Sequence, residues 1–295
     1  MKKAISSAVI AAAILGMFGC AKPRDVKGLE SGLPNDAGKV KGDFGMELVE
    51  GVVCAGVEKR APITPGTSYA PGADGTAKVF FFTRIASEGV TNVVYHRYSY
   101  YVPTLSGRGI WKESHVTELS VTKSTNYPTY SWALSSPGLW RVDALGADRK
   151  SIMKGFVFEV AGAAKEVKNP LAGTDSKAIV SVVDAAICEN VDKHAAVNPG
   201  TEFTAAEEPK RIWFWGKFKA PSAPAKAVIR WSKLTESIDG DKDFVTTYYS
   251  QVEIKSKEWT TYYWINCTAG EWKADVLAAD ESIVRSIEFT VSKQQ

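Results

Sequence analysis

From residue 46 to residue 160, apolar side chains recur at every second position far more often than at a period of 3.6. Val, Ile, Thr, Tyr, Phe and Trp gather there into runs of four to eight, bounded by Gly, Pro, Asn, Asp or Ser. The alternation predicts strands near 47–56, 78–86, 92–101, 115–123, 127–134, 138–146 and 152–160. No window carries the apolar stripe of an amphipathic helix of ten or more residues. The connections are too short for parallel crossovers, so the strands are expected to pair antiparallel.

The same pattern then repeats, which organises the whole chain. CAGVEKRAPITPGT (54–67) aligns without a gap on CENVDKHAAVNPGT (188–201), and Val79-Phe80-Phe81-Phe82 on Ile212-Trp213-Phe214-Trp215. Arg97-Tyr98-Ser99 matches Arg230-Trp231-Ser232, YPTYSW (127–132) matches WTTYYW (259–264), and GLWRVDALGAD (138–148) matches GEWKADVLAAD (270–280). Two copies follow, 46–160 and 180–295, joined by a stretch of linker composition at 161–179. Seven strands in about 110 residues fit an immunoglobulin-like antiparallel β-sandwich, so the expected fold is all-β with two such sandwiches in tandem.

Both copies resemble the bacterial domain of unknown function 2914, a family of envelope and lipoprotein contexts. The resemblance is carried by Lys59-Arg60-Ala61-Pro62, Phe81-Phe82, His96-Arg97-Tyr98, Tyr130-Ser131-Trp132 and Gly138-Leu139-Trp140-Arg141-Val142. The second copy departs at Ala196, where the first has Pro62, and at Ile229, where the first has His96. The shared motifs are structural and imply no reaction.

Ahead of the repeats, MKKAISSAVIAAAILGMFGC has a basic start, a short apolar run and then Gly19-Cys20, the layout of a secretory signal over residues 1–19. The cleavage region resembles the lipobox of bacterial lipoproteins, with Met17 and Phe18 where that family carries Leu and a small residue. The resemblance implies acylation of Cys20 and a membrane anchor, with the outer membrane as the address. Residues 20–45, rich in Gly, Pro, Lys and Asp, read as a flexible tether with a reach of roughly 25 to 30 Å. Removal of Lys2 and Lys3 takes the net charge from +3 to +1, so charge gives no argument for a nucleic-acid partner.

Little in the repeats suits catalysis. The histidines His96, His115 and His194 are not kept between copies, no zinc ligand set recurs, and neither a G-x-S-x-G elbow nor a glycine-rich phosphate loop is present. No cofactor or metal is expected. Asp148 and Asp280 fall in the turn before the last strand and are expected to bond their own backbone. Asp143 and Asp275 share a strand face with Arg141 and Lys273 and read as solvated charge pairs. Trp132, Trp140, Trp264 and Trp272 alternate with apolar neighbours and are expected in the core.

A more specific surface comes from the second strand of each copy. Val79, Phe81 and Ile85 share one face and Phe80, Phe82 and Arg84 the other; in the second copy Ile212, Phe214 and Phe218 oppose Trp213, Trp215 and Lys217. A face ending in a cation belongs outside, so Phe80, Phe82, Trp213 and Trp215, with Arg97 and Arg230 from the next strand, form a candidate ligand surface. The competing arrangement buries this face under a loop or the other copy. Among the cysteines, Cys54 and Cys188 are equivalent while Cys267 faces Ser135, so a Cys188–Cys267 disulfide is available to the second copy alone. Cys54 is then a buried thiol or an intermolecular partner. Together these features describe a non-catalytic envelope lipoprotein that binds or scaffolds glycan or protein, with a glycan hydrolase and an assembly accessory working by edge-strand pairing as alternatives.

Overall fold

A computed structural model describes residues 29–31, 40–41, 45–164, 167–172, 180–278 and 280–294. The secretory signal and Cys20 lie outside the described residues. Every described element is a strand, and the chain is an all-β assembly of stacked sheets. No described helix is long and apolar enough to cross a membrane.

The first half is built from β3 (Met46–Glu58), β4 (Ala61–Pro65), β5 (Ser68–Tyr69), β6 (Ala77–Val102), β7 (Ile110–Ser135), β8 (Gly138–Leu145) and β9 (Ile152–Val160). The expected strands at 78–86 and 92–101 are one continuous strand, β6, and those at 115–123 and 127–134 are one continuous strand, β7. Register shifts between Ile85 and Ser87 and between Ser87 and Thr91 bend this hairpin, with Asn92 Nδ2 donating to Ser87 Oγ at 2.7 Å across the bend. The residues before the bend pair with β3 and those after it pair with β8, so one hairpin serves both layers.

In the second half the same hairpin is cut into β13 (Lys210–Lys219), β14 (Ala225–Glu236), β15 (Lys242–Ile254) and β16 (Glu258–Cys267). The cause is legible: Pro221 and Pro224 occupy the bend, and neither has an N–H to give a ladder. The layers therefore separate into a sheet of order β11-β10-β13-β16 and one of order β12-β18-β17-β14-β15. The remaining strands are β10 (Ser181–Asp192), β11 (Ala195–Pro199), β12 (Glu202–Ala205), β17 (Gly270–Leu277) and β18 (Ile283–Lys293).

Each half has its own core. Val79, Phe81, Tyr98, Trp140, Phe156 and Phe158 centre the first, and Ile212, Phe214, Trp231, Trp272 and Phe289 the second. Trp140 and Trp272 are thus core residues, and the inward face of β6 and β13 is the one the alternation assigns. Three short pairings depart from the antiparallel expectation. β5 runs parallel to β9, β12 parallel to β18, and β1 (Leu29–Ser31) parallel to β9. These partners are far apart in sequence, so no short crossover has to join them. β1 and β2 (Val40–Lys41), the latter antiparallel to β3, also place strand pairing inside the stretch expected to be a free tether.

The disulfide expectation is not met: Cys54, Cys188 and Cys267 are buried free thiols. Cys188 pairs with Trp213 and Cys267 with Lys210, on opposite sides of β13. The two cysteines are therefore two strand spacings and three residues apart, about 10 Å in each direction, beyond the reach of under about 7 Å that a disulfide allows. Burial pushes the Cys54 thiol up to about 11 and the Cys267 thiol up to about 12.

Candidate functional site

The outward faces of β6 and β7 in the first half, and of β13 and β16 in the second, form two equivalent aromatic surfaces. Register places Lys78 opposite Leu134, Phe80 opposite Trp132 and Phe82 opposite Tyr130. In the second half Arg211 lies opposite Asn266, Trp213 opposite Trp264 and Trp215 opposite Tyr262. Each surface is thus a cation, two rings on the inner strand and two rings on the neighbouring strand. Among the described residues β16 is an edge strand, as is residue stretch 124–135 of β7.

The rings that face solvent are mostly not those the sequence suggests. Tyr130 and Trp132 are each 47% exposed, Tyr262 40% and Trp264 39%, with Leu134 more open still. Phe80 and Trp213 are half-buried beside them. Phe82 and Trp215, placed on the same outward face, are buried. In the second half the β10–β11 turn folds over that face, and the Trp215 indole N–H donates to the His194 carbonyl at 2.7 Å. In the first half Val52 and Val57 pack around Phe82, and the Arg84 guanidinium lies 5.2 Å from its ring centroid.

Trp132 and Trp264 correct the core assignment. The strand of Trp264 turns Tyr263, Ile265 and Cys267 inward, whereas that of Trp132 turns Ser131, Ala133 and Ser135 inward and its large rings outward, the reverse of the usual size distribution. In compensation Tyr98 and His96 fill the space beneath. Tyr98 OH lies 3.0 Å from Ser131 Oγ, His96 Nδ1 2.8 Å from the same oxygen, and His96 Nε2 3.2 Å from Thr83 Oγ1. Burial holds the His96 imidazole down at about 3. A ring so hard to protonate is a poor general base near neutrality, and the Ser131–His96 contact acts as a satisfied polar plug under the aromatic face.

Arg97 and Arg230 also leave the candidate surface. Each faces an aspartate directly across the sheet: Arg97 donates through Nε and Nη2 to Asp143 Oδ2 at 3.1 and 2.8 Å, and Arg230 to Asp275 Oδ2 at 3.2 and 2.8 Å. Arg141 Nε adds a bond of 2.7 Å to Asp143 Oδ1, and Ser286 Oγ one of 2.7 Å to Asp275 Oδ1. The aspartates read as solvated are fully buried, because β8 and β17 are interior strands with a basic neighbour alongside. Asp148 and Asp280 do bond their own turns, accepting from Lys150 and Ser151 N–H and from Ser282 N–H.

Two cations that the sequence reading passed over complete the site. Lys78 Nζ lies 4.2 Å from the Trp132 ring centroid and 5.1 Å from that of Phe80, and the Arg211 guanidinium lies 4.0 Å from that of Trp264. Lys78 and Arg211 open the same alternating face that Arg84 and Lys217 close, which is the signal that could have found them.

The two surfaces differ at one side. Next to Trp132 there is a hollow of about 620 Å³ lined by His115, Thr117 and residues 130–134. His115 stacks on Tyr98 at 4.7 Å, and burial lowers its pKa while the Trp132 carbonyl opposes that shift. In the second half the equivalents of His115 and Ser131 are Tyr248 and Tyr263, which stack with centroids 6.4 Å apart and hydroxyls 3.3 Å apart. Their bulk stands where the first half has its hollow. No carboxylate lines the hollow, and the described residues contain no group of three or more His, Cys, Asp or Glu able to hold a metal.

Compared with models of protein families and with curated proteins, the chain matches none. Among solved structures it is similar to an Escherichia coli α-2-macroglobulin, at 11% identity and a TM-score of 0.23 over 82% of this chain and 16% of that one. It is similar to a Legionella pneumophila protein of the DUF4785 family, at 10% identity and a TM-score of 0.23 over 84% of this chain and 57% of that one. A β-glucosidase from Kluyveromyces marxianus aligns at 8% identity with a TM-score of 0.27, over 82% of this chain and 49% of the enzyme. The chain thus spans only a part of each of these proteins.

Proposed function

We propose that the chain is a lipid-anchored envelope protein whose two tandem immunoglobulin-like β-sandwiches, of the domain of unknown function 2914 type, bind glycan without transforming it. The observation that carries this reading is the equivalence of the two aromatic surfaces: Phe80, Tyr130 and Trp132 in one half and Trp213, Tyr262 and Trp264 in the other. A ring at an exposed position costs solubility and adds little stability, so a matched set of them on both copies calls for a partner. Flat rings bordered by hydrogen-bonding and charged side chains suit the apolar faces of sugar rings. Among the described residues no carboxylate lines the hollow beside Trp132, where glycoside hydrolysis would need a facing carboxyl pair.

Cys20 supplies the anchor in this reading, and the outer membrane the address. The test is affinity electrophoresis of the soluble chain from residue 21 through gels containing peptidoglycan fragments or extracted envelope polysaccharides. Retardation by at least one polymer, lost in Trp132→Ala/Trp264→Ala with an unchanged melting temperature, is expected. Unretarded migration in every gel, or retardation that survives the double substitution, would overturn the proposal.

A further inference from the structure

We infer that the two surfaces select acidic glycans, polymers whose sugars carry a carboxylate; this rests on the glycan-binding reading above and names the substrate class of the same site. In each half a cation sits on the exposed tryptophan at the same position of the repeat: Lys78 on Trp132 and Arg211 on Trp264, at 4.2 and 4.0 Å from the ring centroids. The identity of the side chain changes between copies and its positive charge does not. Among the described residues no carboxylate lies within ion-pair distance of either cation, although other cations on the same strands, Arg84 and Lys219, have acidic partners at 2.8 and 3.5 Å. Lys78 and Arg211 are therefore held in place by a ring and left without a counter-charge.

The turn over the second surface and its counterpart in the first half each place a lysine beside an acidic residue, Asp192-Lys193 and Glu58-Lys59. Lys59-Arg60 in the first half and Lys193-His194 in the second are exposed residues with positive φ, and His194 lies 6.0 Å from Tyr262, centroid to centroid. A sugar unit laid against the tryptophan would put a ring carboxylate beside the resident cation. Cation–π contact fixes the ring and the charge relative to one another before the ligand arrives, which lowers the cost of ordering them on binding. Charge-assisted hydrogen bonds from Lys or Arg to carboxylate are also stronger than those to a neutral hydroxyl.

The discriminating experiment measures binding of the intact chain from residue 21 to polygalacturonate, alginate and hyaluronate, and to the methyl ester of each, which keeps the sugar and removes the charge. At least one acid polymer should bind about tenfold or more tighter than its ester, with a preference that shrinks between ~50 and ~500 mM salt. Lys78→Gln/Arg211→Gln should bring acid and ester to equal affinity, and Trp132→Ala/Trp264→Ala should abolish binding of both. Equal binding of acid and ester, or a preference that survives the double glutamine variant, would overturn the acidic selectivity and leave glycan binding standing. Failure of all six polymers would overturn the selectivity, and the electrophoresis above decides separately whether neutral glycans bind. Binding of a thymidine oligonucleotide at the same tryptophans in place of the acid polymers would also overturn it.

Discussion

The backbone N–H of Leu105 donates to the carbonyl of Phe244 at 2.9 Å, and its counterpart in the other half, the N–H of Ile238, donates to the carbonyl of Trp111 at 3.0 Å. Leu105 and Ile238 occupy the same place in the repeat, as do Trp111 and Phe244, so the two copies meet through one loop used twice. The loops share a turn in which Gly107 and Gly240 adopt φ of +75° and +86° and donate to the carbonyls of Thr104 and Ser237. Side chains flank the reciprocal pair: Arg141 reaches Asp239 at 3.1 Å, and Ser106 Oγ donates to Asp243.

This contact should couple the unfolding of the two halves. Calorimetry of the soluble chain is expected to give one transition, and Asp239→Ala/Asp243→Ala to resolve it into two. Two transitions in the unsubstituted chain would show that the loops touch without coupling.

Asp143 holds two guanidinium groups and Asp275 one, all largely withdrawn from water. Asp143→Ala strands Arg97 and leaves Arg141 only its bond to Asp239, and should destabilise the first half by about 3 to 5 kcal/mol. Urea unfolding checks this, and a loss below about 1 kcal/mol would mean that water reaches the arginines.

His96 gives the first half a pH dependence that Ile229 denies the second. Burial lowers the folded-state value to about 3 from an ordinary 6.5, so the unfolded chain takes up a proton that the folded chain refuses. Stability from this group is full above pH 6.5 and is lost as pH falls from 6.5 toward 3. The pH slope of urea unfolding over that window should be reduced in His96→Gln, and the His96 ring signals in the folded protein should stay unshifted at pH 5. Ring signals moving with a midpoint near 6.5 would contradict the burial.

Trp215 and Trp264 face each other diagonally on one sheet surface and should behave oppositely. Trp215→Ala removes a buried ring and its bond to His194 and is expected to cost about 3 to 5 kcal/mol, whereas Trp264→Ala should cost under about 1.5 kcal/mol. Similar losses at both positions would show that the surface is covered.

Period-two alternation was enough to place Val79, Phe81 and Ile85 inside and Phe80 and Phe82 outside, because face assignment depends only on local geometry. Whether an outward ring stays wet depends on what folds over it. The turn whose His194 carbonyl meets Trp215 lies 21 residues away in sequence, and nothing in the strand itself announces it. Trp132 misled for a related reason: hydrophobicity assigns it inward, but the volume under its strand is taken by Tyr98 and His96 from the neighbouring strand. Cross-strand register likewise decides that Arg97 meets Asp143, a pairing 46 residues apart that turns an apparent surface charge into a buried one.

In the proposed function one exposed tryptophan in each half binds sugar. Isothermal titration of the soluble chain with a short oligosaccharide, cut from the polymer that retards it, tests this most directly. Two sites per chain are expected, one after either Trp132→Ala or Trp264→Ala, and none after both. A single site in the unsubstituted chain, or two sites that persist without the tryptophans, would contradict it.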